Sequence, residues 1–164
     1  MKKYLFIVLI CFGCNTPKPT ETAKAEVNEI LDQWHKAAAE ANFDNYFNAL
    51  SEDAIFIGTD ATENWNKTDF MAYSKPYFDR GKAWSFTTLE RNVFITDDGK
   101  TAWFDELLNT QMKICRGSGI LTNENNQWKI KHYVLSMTIP NENSDVVIKA
   151  KDSLESLLIQ KLKK

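Results

Sequence analysis

The sequence predicts an α+β domain, a curved antiparallel sheet with helices on one face. Three observations predict it. Residues 21–41 carry apolar side chains at three- and four-residue steps, as one long helix requires. Four strand-like runs follow one another between Trp84 and Ile139, separated by turn-forming residues. Pro140 closes the last run, and an amphipathic helical pattern fills the remainder.

The chain has 164 residues, enough for one domain with a real core. A net charge of −2 and the lack of a basic stripe give no reason to expect nucleic acid as a partner. Residues 1–13 read as a signal peptide. Lys2 and Lys3 precede an apolar run, Tyr4 to Phe12, that is too short to span a bilayer. Gly13-Cys14 at its end resembles the lipobox of bacterial lipoproteins, although Cys11 stands where Leu is usual. The resemblance implies cleavage before Cys14, a lipid on its sulfur, and an exported, lipid-anchored domain in a bacterial cell envelope. An ordinary secretory signal with a chance cysteine is the other reading. Cys115 is then left alone, so an intramolecular disulfide is not expected. Residues 14–22, with two prolines, read as a flexible tether.

From there the elements follow in order. Val27, Ile30, Leu31, Trp34, Ala38 and Ala41 form the apolar stripe of the first helix, with His35 beside it as a flank histidine or a pocket base. Asp44 can cap a short helix over 45–50. Ala54 to Gly58 is a short strand, Thr59 to Lys67 a polar loop, and Thr68 to Phe78 a third helix with Pro76 inside it. Trp84 to Thr96 alternates as a half-buried strand. Asp97-Asp98-Gly99-Lys100 turns the chain into Ala102 to Leu108, and Lys113 to Thr122 and Trp128 to Ile139 complete the sheet. The C-terminal amphipathic helix, within 142–164, carries Val147, Ala150, Leu154, Leu157, Leu158 and Leu162 on one side.

Several short pieces at this spacing suggest a family. They are Gly58-Thr59-Asp60 with Glu63 and Trp65, Arg91-Asn92-Val93, and Ala102-Trp103-Phe104-Asp105-Glu106. Arg116-Gly117-Ser118-Gly119 before Trp128-Lys129-Ile130, and Ser136 leading to Ile139-Pro140-Asn141, complete the set. Residues 23–141 thereby resemble the SnoaL-like domains of the nuclear transport factor 2-like superfamily, which includes ketosteroid isomerase-like enzymes. The resemblance implies a cone-shaped sheet wrapped on the first helix, a pocket at its open end, and a homodimer through the outer sheet face. The superfamily holds isomerases, dehydratases, cyclases and non-catalytic binding or assembly domains, so fold leaves activity open. The terminal helix departs from the usual core; it is expected to cover the mouth of the cone or to extend the dimer contact.

Within that frame Glu106 is the inward carboxylate of the Asp105-Glu106 pair, either a general acid or base or half of a structural ion pair. Its partner depends on register. A turn centred on Gln111 sets it opposite Arg116, whereas one centred on Asn109-Thr110 sets Trp103 there. Arg116 is alternatively free to hold an anion. Asp60 and Glu63 are expected to rim the cavity or to lie in a solvated loop; in ketosteroid isomerase-like enzymes a carboxylate near here abstracts a proton, which makes Asp60 a second candidate base. His132 is expected in the pocket, and Arg91 at its rim or in an ion pair. Trp34, Phe56, Trp65, Tyr73, Trp84 and Trp103 are expected to be core residues of which some border the pocket. Two histidines and one mature thiol in no ligating spacing predict no metal. Gly117-Ser118-Gly119 precedes no helix and Ser136 lacks a nucleophile elbow, so no cofactor or acyl-transfer motif is present. The expected role is binding of a small, partly apolar molecule. An acid–base enzyme (isomerase, cyclase or dehydratase) and a dimeric interaction module are the alternatives.

Overall fold

The computed structural model describes residues 20–163; the signal segment, Cys14 and most of the tether lie outside them. α1 (Thr20–Ala39) buries Val27, Leu31, Trp34 and Ala38, the stripe set by its spacing. α2 (Phe43–Asn48) follows, then β1 (Leu50–Ile57), β2 (Asn64–Asn66) and α3 (Lys67–Asp79). β3 (Thr87–Ile95), β4 (Thr101–Thr110), β5 (Lys113–Glu124) and β6 (Gln127–Met137) complete the sheet, and α4 (Ser144–Leu162) ends the chain.

One curved, unclosed sheet runs in the order β2-β1-β6-β5-β4-β3 and packs its inner face on α1. It is mixed rather than wholly antiparallel, because β1 pairs with β6 in parallel. That pairing joins strands far apart in sequence, which alternation within each strand cannot report. Other departures are local. Asn42, not Asp44, caps α2 by accepting from Asn45 N at 3.1 Å. Asn66 caps α3 in the same way, accepting from Asp69 N at 2.9 Å. Pro76 sits inside α3 without ending it. Residues 84–86 form no strand, and part of the expected polar loop pairs as β2.

Two details of the sheet set the functional geometry. The β4–β5 reversal uses two residues, Gln111 and Met112, with Thr110 opposite Lys113. Thr110 Oγ1 fastens it, accepting from Met112 N at 2.9 Å and donating to Lys113 O at 2.9 Å. Neither expected register occurs: Gly117 lies opposite Glu106, and Arg116 lies opposite Leu107. A one-residue step changes the face of every side chain, so Arg116 points to the outer, exposed side. In β6 the register shifts between Ile130 and His132, leaving Lys131 as a bulge. Trp128 and Ile130 are buried before it, Tyr133 and Leu135 after it. His132 is thereby turned outward, against the uninterrupted alternation that placed it with Trp128.

The core is one cluster between α1, α2, α3 and the sheet. Tyr46 stacks on Trp34 at 5.0 Å, and Tyr133 meets Trp34 edge-on at 4.7 Å. Cys115 is buried and free. No residue of α4 is buried, and it neither lines the cavities described below nor covers them. No described helix is long and apolar enough to cross a membrane.

Candidate functional site

The inner face holds a buried charged cluster centred on Glu106. Glu106 itself is 1% exposed, and both carboxylate oxygens are occupied. His35 Nε2 donates to Oε1 at 2.9 Å, and the Tyr133 hydroxyl donates to the same oxygen at 3.1 Å. Arg91 Nε donates to Oε2 at 2.9 Å. The guanidinium continues to Asp32 Oδ1 at 2.8 Å, to the Thr88 hydroxyl at 3.0 Å and to Asn28 at 3.3 Å. The cluster therefore ties α1 to β3, β4 and β6. Gly117 makes room for it: a Cβ there would stand 2.3 Å from Tyr133 Oη and 2.9 Å from Glu106 Oε1.

Burial by itself would push the Glu106 carboxyl up, but the His35 hydrogen bond and the His35 and Arg91 charges outweigh it and hold the group below the usual range. Burial pushes the Tyr133 hydroxyl well above 10, and the neighbouring Glu106 charge adds to this. The cluster is thus an ionised carboxylate with protonated phenol and guanidinium around it. Three donors already hold its two oxygens, an arrangement that favours an ion-pair role over that of a free base.

The cavity beside it is lined by rings. It measures about 300 Å³ and lies where the β1–β2 loop, α3 and the β4–β5 turn converge. Phe56, Trp65, Tyr73 and Trp84, all expected from the sequence, line it. Phe70, Tyr77 and Phe86 add three more rings. Phe86 also touches His35, at 5.9 Å between ring centroids, and so stands between the cavity and the ion cluster. Among the described residues, Glu63 is the one charged side chain in the lining.

The remaining expected residues are dispersed. Asp60 is exposed and binds its own loop, accepting from Thr62 N at 2.8 Å and Thr62 Oγ1 at 2.6 Å, which lowers its pKa. Trp34 borders a different, wider cleft of about 720 Å³ between α1, α2 and the β5–β6 turn. Trp103 does not face the cavity: it is 47% exposed on the outer sheet face, stacked on Phe94 at 5.5 Å. Odd-numbered residues of β4 point outward and even-numbered ones inward, which places Trp103 opposite in sense to Glu106. Arg116 and His132 share that outer face. Phe94, Trp103, Ile120, His132 and Ile55 form one continuous row across five strands.

Sequence reading did not single out Tyr133, Asp32, Asn28 or Phe86. The bulge conceals the first. The others meet the site only because α1 crosses the sheet at β3. Among the described residues, no group of three His, Cys, Asp or Glu side chains is gathered as a metal site would need.

Comparisons with known proteins agree with this architecture. A family model described as a SnoaL-like domain matches residues 27–140. No curated protein matches the sequence. Among solved structures, a nuclear transport factor 2-like protein of unknown function from Pseudomonas putida KT2440 aligns with a TM-score of 0.65 at 14% identity, over 76% of this chain and 92% of that one. A Streptomyces avermitilis protein of the same superfamily, proposed by its name to be a dehydratase, gives 0.64 at 10% identity, over 74% and 100%. The association domain of calmodulin-dependent kinase II from C. elegans gives 0.59 at 16%, over 71% and 97%. At these identities the likeness shows the fold alone.

Proposed function

The chain belongs to the SnoaL-like domain family, and on that premise we propose that it is a lipid-anchored envelope protein whose domain binds a small, partly apolar molecule in the ring-lined cavity. One observation carries the binding reading. The buried carboxylate of the inner face is saturated by His35, Tyr133 and Arg91, whereas the cavity next to it is built of rings. Such a cavity offers apolar area and shape but no free acid–base pair. Native mass spectrometry of the domain purified from its own host tests this: a retained small molecule is expected, and loss of that adduct on Trp65→Ala places it in the cavity. Empty protein under gentle conditions, with no stabilisation by any apolar probe, overturns the reading.

The enzymatic alternative requires Glu106 or Asp60 to meet a substrate. Neither lines the cavity, and Asp60 is engaged with Thr62. The outer row of Phe94, Trp103 and Ile120 supports a homodimer contact, since three large side chains in register, each 40% exposed or more, would be covered together. The Gly13-Cys14 pair supports the lipid anchor. Cys14→Ala is expected to move the protein from the membrane to the soluble fraction.

A further inference from the structure

The chemistry of the cavity lining narrows the ligand further, and this step rests on the binding reading above. We propose that the cavity takes a small organic cation, an alkylated ammonium group on a compact apolar body, with Glu63 as its counter-charge.

The rings supply the first argument. Trp65 stacks on Tyr73 at 4.5 Å and lies parallel to Phe70 at 5.6 Å, so those faces meet one another, and the lining rings with most area left to offer are Tyr73 and Tyr77, 43% and 37% exposed. The face of an aromatic ring is the negative end of its quadrupole and attracts a cation within about 6 Å. Tyr77, another lining ring, already shows this: the Arg80 guanidinium stands 4.9 Å over its centroid. Arg80 itself is not among the lining residues.

The charge balance supplies the second. Among the described residues the lining contains no Lys, Arg or His, and Glu63 is its single ionisable carboxyl. An anion would meet this carboxylate and the rings with no basic side chain in the lining to compensate it. A neutral apolar ligand would strip water from Glu63 and give no partner in return. A cation satisfies both.

The placement of Glu63 supplies the third. Its Oε2 accepts from Asp60 N at 3.2 Å, which fixes the carboxylate over the end of β1. The side chain lies across Gly58, where a Cβ would come within 2.1 Å of Oε2. Only a residue without a side chain lets it fold there. Its charge is felt at the next ring. The Tyr73 hydroxyl is pushed up to about 12, chiefly by its hydrogen bond with Tyr77, then by burial, with the Tyr77 and Glu63 charges adding.

The test compares two ligands of one shape on the full chain: choline, and 3,3-dimethyl-1-butanol, which replaces its nitrogen by carbon. Tryptophan fluorescence and calorimetry read the binding. Choline is expected to bind at least tenfold more tightly. Glu63→Gln is expected to weaken choline at least fivefold and to leave the neutral ligand bound no more weakly than before, so that only the part of the preference owed to the rings survives. Raised salt is expected to weaken choline alone. The two-ligand comparison on the unaltered protein stands even if the variant folds poorly. Equal affinities, or tighter binding of the neutral ligand, overturn the cation inference and leave the binding reading intact. Binding of neither at millimolar concentration overturns the inference, and together with an empty native mass spectrum it overturns the binding reading as well.

Discussion

Glu106→Gln is the sharpest test of how the inner face is held together. Glutamine keeps the shape of the side chain, and its carbonyl oxygen can still accept from His35 and Tyr133. It cannot give Arg91 a second anionic oxygen. Arg91 has a side chain only 5% exposed and would keep Asp32 at 2.8 Å as its remaining carboxylate, itself 58% exposed. Removing one partner of a buried pair costs about 3–5 kcal/mol, because the surviving charge stays desolvated. Each kcal/mol lowers Tm by about 3 °C in a domain of this size, so a loss of about 10–15 °C is expected. Urea denaturation and thermal melts of the two proteins measure it. A double variant, Arg91→Met with Glu106→Leu, is expected to lose less than the two single losses combined, since neither charge is stranded. If Glu106→Gln melts within about 1 kcal/mol of the parent, the carboxylate is not the ionised hub of a buried cluster. It would then be open again as an acid or base for a bound molecule.

Other expectations follow from the same geometry. A carboxyl held below its unfolded value stabilises the fold above that value, near 4.3, and the contribution disappears as pH falls through the folded one. The urea midpoint is therefore expected to fall from pH 6 to pH 3 more steeply in the parent than in Glu106→Gln; parallel profiles refute this. Gly117→Ala forces a methyl against Tyr133 Oη and Glu106 Oε1 and is expected to cost about 2–3 kcal/mol by denaturant midpoint. Deleting α4 after Asn143 removes no buried residue, so the monomer's Tm is expected to change by less than about 2 °C. A larger drop refutes the view that α4 adds little to the folded monomer.

Much of the fold was legible because it depends on periodicity. The stripe of α1 and the Asp97–Lys100 turn are local facts, written in the spacing of apolar residues and in turn chemistry. The rings Phe56, Trp65, Tyr73 and Trp84 were legible as a set for a similar reason: large aromatic side chains must be buried somewhere, and they follow one another through a short length of chain.

The sequence by itself determined the class of the domain, the inward sense of Glu106, and the supply of rings from which a cavity is made. Tertiary structure alone decided how those rings and charges are shared out. A two-residue reversal at Gln111-Met112 sent Arg116 outward, leaving Glu106 to the Arg91 that the β3–β4 register sets opposite it; a bulge at Lys131 exchanged His132 for Tyr133. Both are single-residue steps in strands of period two, so each moves a side chain to the opposite face at little local cost. Partners such as His35 and Asp32 come from a helix more than fifty residues away, and only the packing of α1 on the sheet brings them to the carboxylate.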